Sequence, residues 1–275
     1  MKSTLLQLAI RWYRFLFARR QFYSLNRFLH TLSLRGIGVL NFENDRVSGE
    51  EYFLTSYLRD KPGCVVLDVG ANNGRYGEKV MRLQPNARVY AFEPHPVTFK
   101  RLQESAVKYG FHAFNLGCGD TRTETLLYDY ADYAGGQGTE HASVHENVFT
   151  GIHEQKPIGH RIQIITLDDF VIEHGLESID LVKIDVEGNE LSVLKGLRKS
   201  LSQGSINAIQ FEFNTMNVVS RVFFKDFVDL LKGYALYRLL PNGMAALPHY
   251  DPALCEIFAF QNIVALKGIA GKAKT

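Results

Sequence analysis

Residues 65–74 are VVLDVGANNG. The first five form an apolar run that contains one acidic residue, Asp68, and the last five begin and end with a glycine, Gly70 and Gly74. The apolar part, residues 65–69, predicts a strand that is buried on both faces. The glycines allow the chain to turn sharply after this strand, and a helix is expected to begin near Tyr76. A strand, a glycine turn and a helix in this order are typical of the first unit of an α/β sheet.

The chain on the C-terminal side of this stretch repeats the alternation of strand and helix. Apolar runs that predict further buried strands lie at residues 87–92, 111–116, 179–184 and 206–213. Two more β-rich runs, 235–240 and 255–266, are joined by the turn residues 241–243 (PNG), and we expect them to pair antiparallel because the joint is too short for a helical crossover. The pattern predicts an α/β fold with a mostly parallel seven-stranded sheet and a C-terminal antiparallel hairpin.

The first 35 residues differ from the rest of the chain in charge. They contain seven Lys or Arg residues and no acidic one, whereas the whole chain has 31 basic and 29 acidic residues and a net charge of only +2. The balanced total argues against a nucleic-acid partner. Arg11 and Arg14 interrupt the apolar residues of this segment, so neither a transmembrane helix nor a signal peptide is expected.

We predict a basic amphipathic helical segment over residues 1–35 and one α/β domain over residues 36–275. The aromatic residues of the segment would either pack on the domain or make peripheral contact with an anionic membrane. The three cysteines are too few and too scattered for a disulfide framework or a zinc site. These features favour a cytoplasmic protein, with contact at the inner membrane face if the segment binds lipid.

The ends of the first two predicted strands indicate the cofactor. The spacing Gly70-x-x-x-Gly74 after Asp68 differs from the G-x-G-x-x-G turn that approaches a pyrophosphate. It suits S-adenosylmethionine, which has no pyrophosphate and carries an amino group that a carboxylate can bind. Glu93 is expected at the end of the neighbouring strand, where it could accept both ribose hydroxyls. The predicted cofactor-binding residues are Asp68, Gly70, Asn72, Gly74, Glu93 and Asp120.

A terminal antiparallel hairpin also distinguishes the Rossmann-like methyltransferase fold from the dinucleotide-binding one. The alternatives are an NAD-linked oxidoreductase and a non-catalytic scaffold that keeps the methyltransferase-like fold.

The fourth predicted strand ends in KIDVEGNE at residues 183–190. Asp185 and Glu187 are therefore expected at the carboxyl edge of the sheet, where open α/β sheets bind ligands. The stretch lacks the Asn-Pro-Pro-Tyr that would suggest methylation of a base, so a hydroxyl acceptor fits better. We predict Asp185 and Glu187 as catalytic groups, together with His141 from a long loop over residues 131–160. Alternatively, Asp185, Glu212 and Asn214 could collect Mg²⁺, although the sequence favours a reaction without it.

Three motifs together resemble the FkbM family of S-adenosylmethionine-dependent methyltransferases. They are DVGANNG at 68–74, FEP at 92–94 and KIDVEGNE at 183–190, and the resemblance covers residues 36 to 266. It implies O-methylation of a hydroxyl on a sugar, a glycan or a related small molecule. Residues 1–35 fall outside it.

Overall fold

The computed structural model describes residues 2–130 and 157–268. The helices of this part are α1 (Lys2–Phe17), α2 (Tyr23–Gly36), α3 (Asp45–Ser48), α4 (Glu50–Leu58), α5 (Arg75–Leu83), α6 (Pro96–Tyr109), α7 (Leu167–Glu173), α8 (Glu190–Lys195), α9 (Arg198–Gln203), α10 (Met216–Ser220), α11 (Phe224–Leu230) and α12 (Pro252–Cys255). The strands are β1 (Val65–Val69), β2 (Arg88–Phe92), β3 (His112–Phe114), β4 (Gly117–Cys118), β5 (Thr123–Tyr130), β6 (Pro157–Ile165), β7 (Leu181–Ile184), β8 (Ala208–Phe213), β9 (Tyr234–Leu240), β10 (Gly243–Ala246) and β11 (Gln261–Lys267).

The main sheet within these residues has the strand order β10-β9-β11-β8-β7-β1-β2-β3. The five strands from β3 to β8 are parallel, and β11 runs antiparallel to both β8 and β9. Successive side chains of a strand point to opposite faces, so Val66 and Leu67 of β1 enter different apolar clusters. The predicted α/β fold with a mostly parallel sheet and an antiparallel C-terminal part is confirmed.

The C-terminal part of the sheet contains one strand more than predicted. The turn after Leu240 leads into β10, which pairs with β9. The strand that was predicted to begin at residue 255 begins at Gln261, because residues 252–255 form α12. The four residues of β10, GMAA, contain no β-branched or aromatic side chain, which explains why the sequence pattern does not reveal this strand.

A separate small sheet in the order β4-β6-β5 lies beside the main one. Its strands β5 and β6 pair antiparallel over eight residues each. Leu127, Ile162 and Ile164 form an apolar cluster on it. The predicted loop over residues 131–160 was too long at its end, since residues 157–160 belong to β6 and are stabilised there by hydrogen bonds to β5.

The N-terminal segment is helical, as predicted, and consists of the pair α1 and α2. Tyr13 donates a hydrogen bond to Oδ1 of Asn26 (2.6 Å), and Nδ2 of Asn26 donates to the carbonyl of Phe17 (3.0 Å), which joins the two helices. Trp12 and Phe15 are 57% and 60% exposed, so these aromatics do not pack on the α/β domain. Across residues 2–130 and 157–268, no helix combines the length and the apolar character needed to cross a bilayer.

Candidate active site

The glycine turn after β1 brings the backbone against the end of β7. Gly70 has a φ of +75°, and a Cβ at this position would fall 1.7 Å from the carbonyl oxygen of Asp185. The amide of Gly70 donates to the carbonyl of Phe92 at the end of β2 (3.0 Å). Asn72 also has a positive φ, +49°. This turn therefore requires glycine at position 70 and leaves a hollow between the ends of three strands.

Two backbone amides hold the carboxylate of Glu93 at the end of β2. Oε2 accepts from the amide of Asn72 (3.0 Å) and Oε1 accepts from the amide of His95 (2.8 Å). Burial raises the pKa of Glu93 to about 7, although both hydrogen bonds act in the opposite direction. Each carboxylate oxygen has a second lone pair, so the group can still accept hydrogen bonds from a ligand.

A cavity of about 110 Å³, here called the cofactor cavity, lies between the glycine turn, the end of β2 and the small sheet. Its lining combines Glu93 with the apolar side chains of Phe92, Leu116, Cys118 and Ile164. Apolar walls suit a purine base, and a carboxylate beside them suits ribose hydroxyls. These residues fit the adenosine part of S-adenosylmethionine.

A larger cavity of about 630 Å³, here called the acceptor cavity, opens on the other side of the same turn. Phe42 and Phe260 line it, with their rings edge to face at a centroid distance of 6.1 Å. Its charged lining residues are Asp45, Glu50, Arg75, Lys79, Lys183, Asp185, Glu187 and Glu212. Four residues line both cavities, namely Gly70, Asn72, Asp185 and Glu187. The predicted catalytic carboxylates therefore lie where the two cavities meet.

The ammonium group of Lys183 lies among the carboxylates of this site. It donates to Oδ2 of Asp185 (3.1 Å) and to the carbonyl of Gly70 (3.4 Å), and it lies 3.8 Å from Oδ1 of Asp68. Burial alone would lower the pKa of Lys183, but Asp185, Asp68 and Glu50 raise it above its usual value. Lys183 is therefore charged, and it links the glycine turn to the strand that carries Asp185.

Asp185 and Glu187 lie on a sharp turn after β7. Glu187 and Gly188 have φ values of +52° and +98°. Beneath the turn, Oε1 of the buried Glu190 accepts from the amides of Val186 (3.2 Å) and Gly188 (3.1 Å). Burial raises the pKa of Glu190 to about 7. Glu190 thus fixes the backbone that presents the two predicted catalytic groups.

Three of the six predicted cofactor-binding residues line the cofactor cavity: Gly70, Asn72 and Glu93. The other three line neither cavity. Asp68 is fully buried behind Lys183. Gly74 lies against α6, where a Cβ would come 3.0 Å from Leu102 and Ser105. Asp120 is exposed, and its amide donates to the hydroxyl of Ser192 (3.1 Å).

Two of the three residues considered for Mg²⁺, Glu212 and Asn214, are hydrogen-bonded to each other, whereas Asp185 is bonded to Lys183. Nδ2 of Asn214 donates to Oε1 of Glu212 (2.6 Å), while Oδ1 of Asn214 accepts from the amide of Met216 (2.7 Å). Burial, with Asp185 and Glu187 nearby, raises the pKa of Glu212 well above its usual value. The amide of Asn214 thus bridges the carboxyl of Glu212 and the backbone of Met216.

Sequence reasoning missed three charged residues of the site. Lys183 interrupts an otherwise apolar strand, and a charge in a buried strand could have indicated a paired role. Glu190 is the last residue of the KIDVEGNE motif at 183–190, but its role in holding the turn was not predicted. Glu50 belongs to Ser48-Gly49-Glu50, which lies within the range of the family resemblance but received no predicted role; it begins α4 and accepts a hydrogen bond from Nε2 of Gln210 (2.9 Å). His141 lies outside the residues that the structure describes.

Comparison with known proteins finds one matching family model and several similar methyltransferases. A family model described as the methyltransferase FkbM domain matches residues 68–238. The 2-O-methyltransferase NoeI of Sinorhizobium fredii is 29% identical over 206 residues, which are 68% of this chain and 79% of NoeI. The hexuronic acid methyltransferase AglP of Haloferax volcanii is 30% identical over 151 residues, 54% of this chain and 56% of AglP. The AMB antimetabolite synthetase AmbE of Pseudomonas aeruginosa is 33% identical over 193 residues, and the match spans 58% of this chain but only 9% of AmbE.

Proposed function

The chain belongs to the FkbM family of S-adenosylmethionine-dependent methyltransferases, and from this premise we propose that it methylates a hydroxyl group of a sugar, a glycan or a related small molecule. The observation that carries the proposal is the junction of the cofactor cavity and the acceptor cavity at Asp185 and Glu187. S-adenosylmethionine, when bound, supplies a methyl group on a positively charged sulfur. Family membership favours this activity over that of an NAD-linked oxidoreductase.

The lining of the acceptor cavity supports a polyhydroxylated acceptor. Its carboxylates can accept hydrogen bonds from hydroxyls, and the faces of Phe42 and Phe260 can pack on the C–H face of a sugar ring. Two relatives agree with an oxygen-bearing acceptor, since NoeI is a 2-O-methyltransferase and AglP acts on a hexuronic acid. These observations favour a sugar over an aromatic or purely apolar substrate.

In this proposal Asp185 and Glu187 hold the acceptor hydroxyl and take its proton. An aliphatic hydroxyl is a weak nucleophile at neutral pH, and a positioned base typically contributes about 10² to 10⁴ in rate. Lys183 holds Oδ2 of Asp185, so Oδ1 is available to the hydroxyl. Alignment of the hydroxyl at the junction is the other contribution, with effective molarities that correspond to about 7 to 11 kcal/mol.

The function is tested by incubating the full chain with methyl-labelled S-adenosylmethionine and a panel of monosaccharides, uronic acids and glycans. We expect labelled acceptor whose label survives mild alkali, because a methyl ether is stable there and a methyl ester is not. Release of the label as methanol would show that the protein methylates a carboxyl group and not a hydroxyl. The absence of both turnover and S-adenosylhomocysteine binding in calorimetry would favour the non-catalytic scaffold.

The acceptor can be identified by mass spectrometry of glycans and metabolites from cells with and without the protein. We expect a product heavier by one methylene in cells that contain it. The Asp185→Asn variant, expressed to the same level, is the matched control and should not restore that product.

We also propose that α1 and α2 hold the enzyme against an anionic membrane surface. In α1 the polar residues Thr4, Gln7, Arg11 and Arg14 follow one another at spacings of three and four, which places them in a single stripe, and most of the remaining surface is apolar and exposed. In α2 the stripe Leu25, Phe28, Leu29 and Leu32 is 41–59% exposed. Such helices suit the boundary between lipid headgroups and acyl chains.

The charge of this segment favours anionic lipid over a second copy of the chain. No acidic residue occurs before Glu43, so two copies packed through α1 and α2 would bring like charges together. Basic residues near an anionic leaflet contribute up to about 1 kcal/mol each. A lipid-linked glycan would then be a natural acceptor, because it lies at the same surface.

A further inference from the structure

Two histidines and one aspartate converge beside the cofactor cavity. His95 lies at the corner between β2 and α6, Asp129 lies on β5 and His160 lies on β6. One potential ligand atom from each residue lies within 4.8 Å of the other two. Nε2 of His95 is 3.2 Å from Oδ2 of Asp129, and the rings of His95 and His160 have centroids 4.5 Å apart. Three separate elements of the fold thus direct two imidazoles and a carboxylate to one point.

The ring of His95 is held so that Nε2 faces this point. Its Nδ1 lies 3.3 Å from both the amide nitrogen and the hydroxyl oxygen of Thr98, which fixes the ring at the start of α6. His95 is 1% exposed and Asp129 is 5% exposed. Nε2 of His95 is fully buried and makes no aligned hydrogen bond with any described residue, although the carboxylate of Asp129 is close. When Nδ1 carries the ring proton and donates it to the hydroxyl oxygen of Thr98, the lone pair of Nε2 can bind a metal ion.

We propose that His95, Asp129 and His160 bind a divalent transition-metal ion, for which Zn²⁺ is the natural probe. Two imidazoles and a carboxylate are a donor set that zinc accepts, with metal–ligand distances of about 2.0 to 2.2 Å. Tetrahedral donors at those distances are about 3.3 Å apart, which the His95–Asp129 pair already matches. The widest separation, at most 4.8 Å, would have to close by about 1.5 Å on binding.

The site contains no cysteine. It therefore differs from the cysteine zinc site that the number and spacing of the three cysteines argue against. It is also separate from the carboxylates of the acceptor cavity, none of which belongs to it. A bound ion would join the corner between β2 and α6 to both long strands of the small sheet. Because the amide of His95 also holds Oε1 of Glu93, the ion would stiffen one wall of the cofactor cavity.

The test measures metal content and does not depend on catalysis. The full chain is stripped with a chelator, dialysed against Zn²⁺, and analysed by mass spectrometry for bound metal; Co²⁺ replaces Zn²⁺ in a parallel sample because its visible absorption reports coordination. We expect about one ion per chain, a tetrahedral Co²⁺ spectrum, and a higher melting temperature with Zn²⁺ than without. Less than about one fifth of an ion per chain, or no change in the Co²⁺ spectrum, would overturn the proposal.

Variants of the ligands assign the ion to this cluster. We expect Asp129→Asn and His160→Gln each to weaken Zn²⁺ binding by at least about tenfold, whereas the control His249→Gln, at an exposed histidine, should bind like the original chain. His160 is only half-buried, so its variant should fold even if Asp129→Asn does not. Equal affinity in the folded His160→Gln variant and the original chain would place the metal elsewhere and overturn the proposal.

Discussion

Nζ of Lys183 donates a 3.1 Å hydrogen bond to Oδ2 of Asp185, two positions further along the same chain. In a strand, residues two positions apart lie on one face, so this pair faces the acceptor cavity together. The same ammonium group lies 3.8 Å from the fully buried Asp68. Lys183 thus connects the buried carboxylate of Asp68, on the neighbouring strand β1, to the accessible carboxylate of Asp185 at the edge of the sheet.

Replacement of Lys183 should show how much the fold depends on this connection. We expect Lys183→Met to lower the free energy of unfolding by about 3 to 5 kcal/mol, because it leaves Asp68 buried without its cation. Urea denaturation of the purified chain measures the change. Lys232→Met, at an exposed lysine, is the control and should stay within about 0.5 kcal/mol. Equal free energies of unfolding in Lys183→Met and the control would show that the ion pair between Lys183 and Asp68 does not stabilise the fold.

Loss of the Glu93 carboxylate should weaken cofactor binding. At pH 8, above the Glu93 pKa of about 7, we expect Glu93→Ala to lower the affinity for S-adenosylhomocysteine at least about tenfold, because ribose hydroxyls lose a charged acceptor worth about 1.5 to 3 kcal/mol for each hydrogen bond. Isothermal titration calorimetry measures this, with Glu104→Ala on the exposed face of α6 as the control. Unchanged affinity in a folded Glu93→Ala variant would remove Glu93 from the cofactor site.

Asp185→Asn should separate catalysis from cofactor binding. The amide can still accept from Lys183 but is a far weaker base, so we expect kcat to fall about 10² or more while S-adenosylhomocysteine binds within a few-fold. Asp60→Asn, at an exposed aspartate, serves as the control. If cofactor affinity collapses and bound cofactor still turns over, Asp185 is a cofactor ligand and not the base.

Glu190 should make stability depend on pH. Its pKa is about 7 in the folded protein against 4.5 ordinarily, because the carboxyl is buried. Between these values the folded protein keeps a proton that the unfolded chain has released, so the free energy of unfolding falls as pH rises from about 4.5 to 7. Glu190→Gln removes this dependence and keeps an oxygen for the amides of Val186 and Gly188.

The difference in unfolding free energy between Glu190→Gln and the original chain should therefore grow with pH, by up to about 3 kcal/mol between pH 4.5 and 8. Any constant cost of the substitution cancels in this comparison. Urea denaturation at several pH values measures it, and the exposed Glu177→Gln is the control. A difference that does not change with pH would mean that the pKa of Glu190 is the same in the folded protein and the unfolded chain.

Membrane binding should depend on the apolar faces of α1 and α2. We expect the double variant Trp12→Ala, Phe15→Ala to lower sedimentation with anionic vesicles about tenfold or more. Both rings are exposed to water in the free protein, and their transfer into the membrane interface would stabilise the bound state. Binding should also weaken as salt rises, because the attraction to anionic lipid is screened. The matched control is Val107→Ala, an exposed apolar residue on α6. Chain that ignores anionic vesicles at low salt would contradict the proposal.

Local patterns were enough to predict the parallel sheet. The apolar run of β1, the glycine turn after it, and the polar residues that follow β2 and β7 are signals within ten or so residues, and the carboxyl ends of parallel strands necessarily share one edge. The sequence therefore predicted Glu93, Asp185 and Glu187 at one edge of the sheet. It did not predict β10, an edge strand of small residues whose pairing depends on β9 rather than on its own composition.

By itself the sequence determined the fold class, the family and the edge of the sheet at which the candidate site lies, because periodicity and strand-end residues are properties of short segments. Tertiary structure alone decided that Asp68 lies behind Lys183, that α1 and α2 leave their apolar faces exposed, and that His95, Asp129 and His160 meet. Each of these depends on the packing of elements that are distant in sequence. Burial, and the pKa shifts that follow from it, arise from that packing and leave no pattern in any one segment.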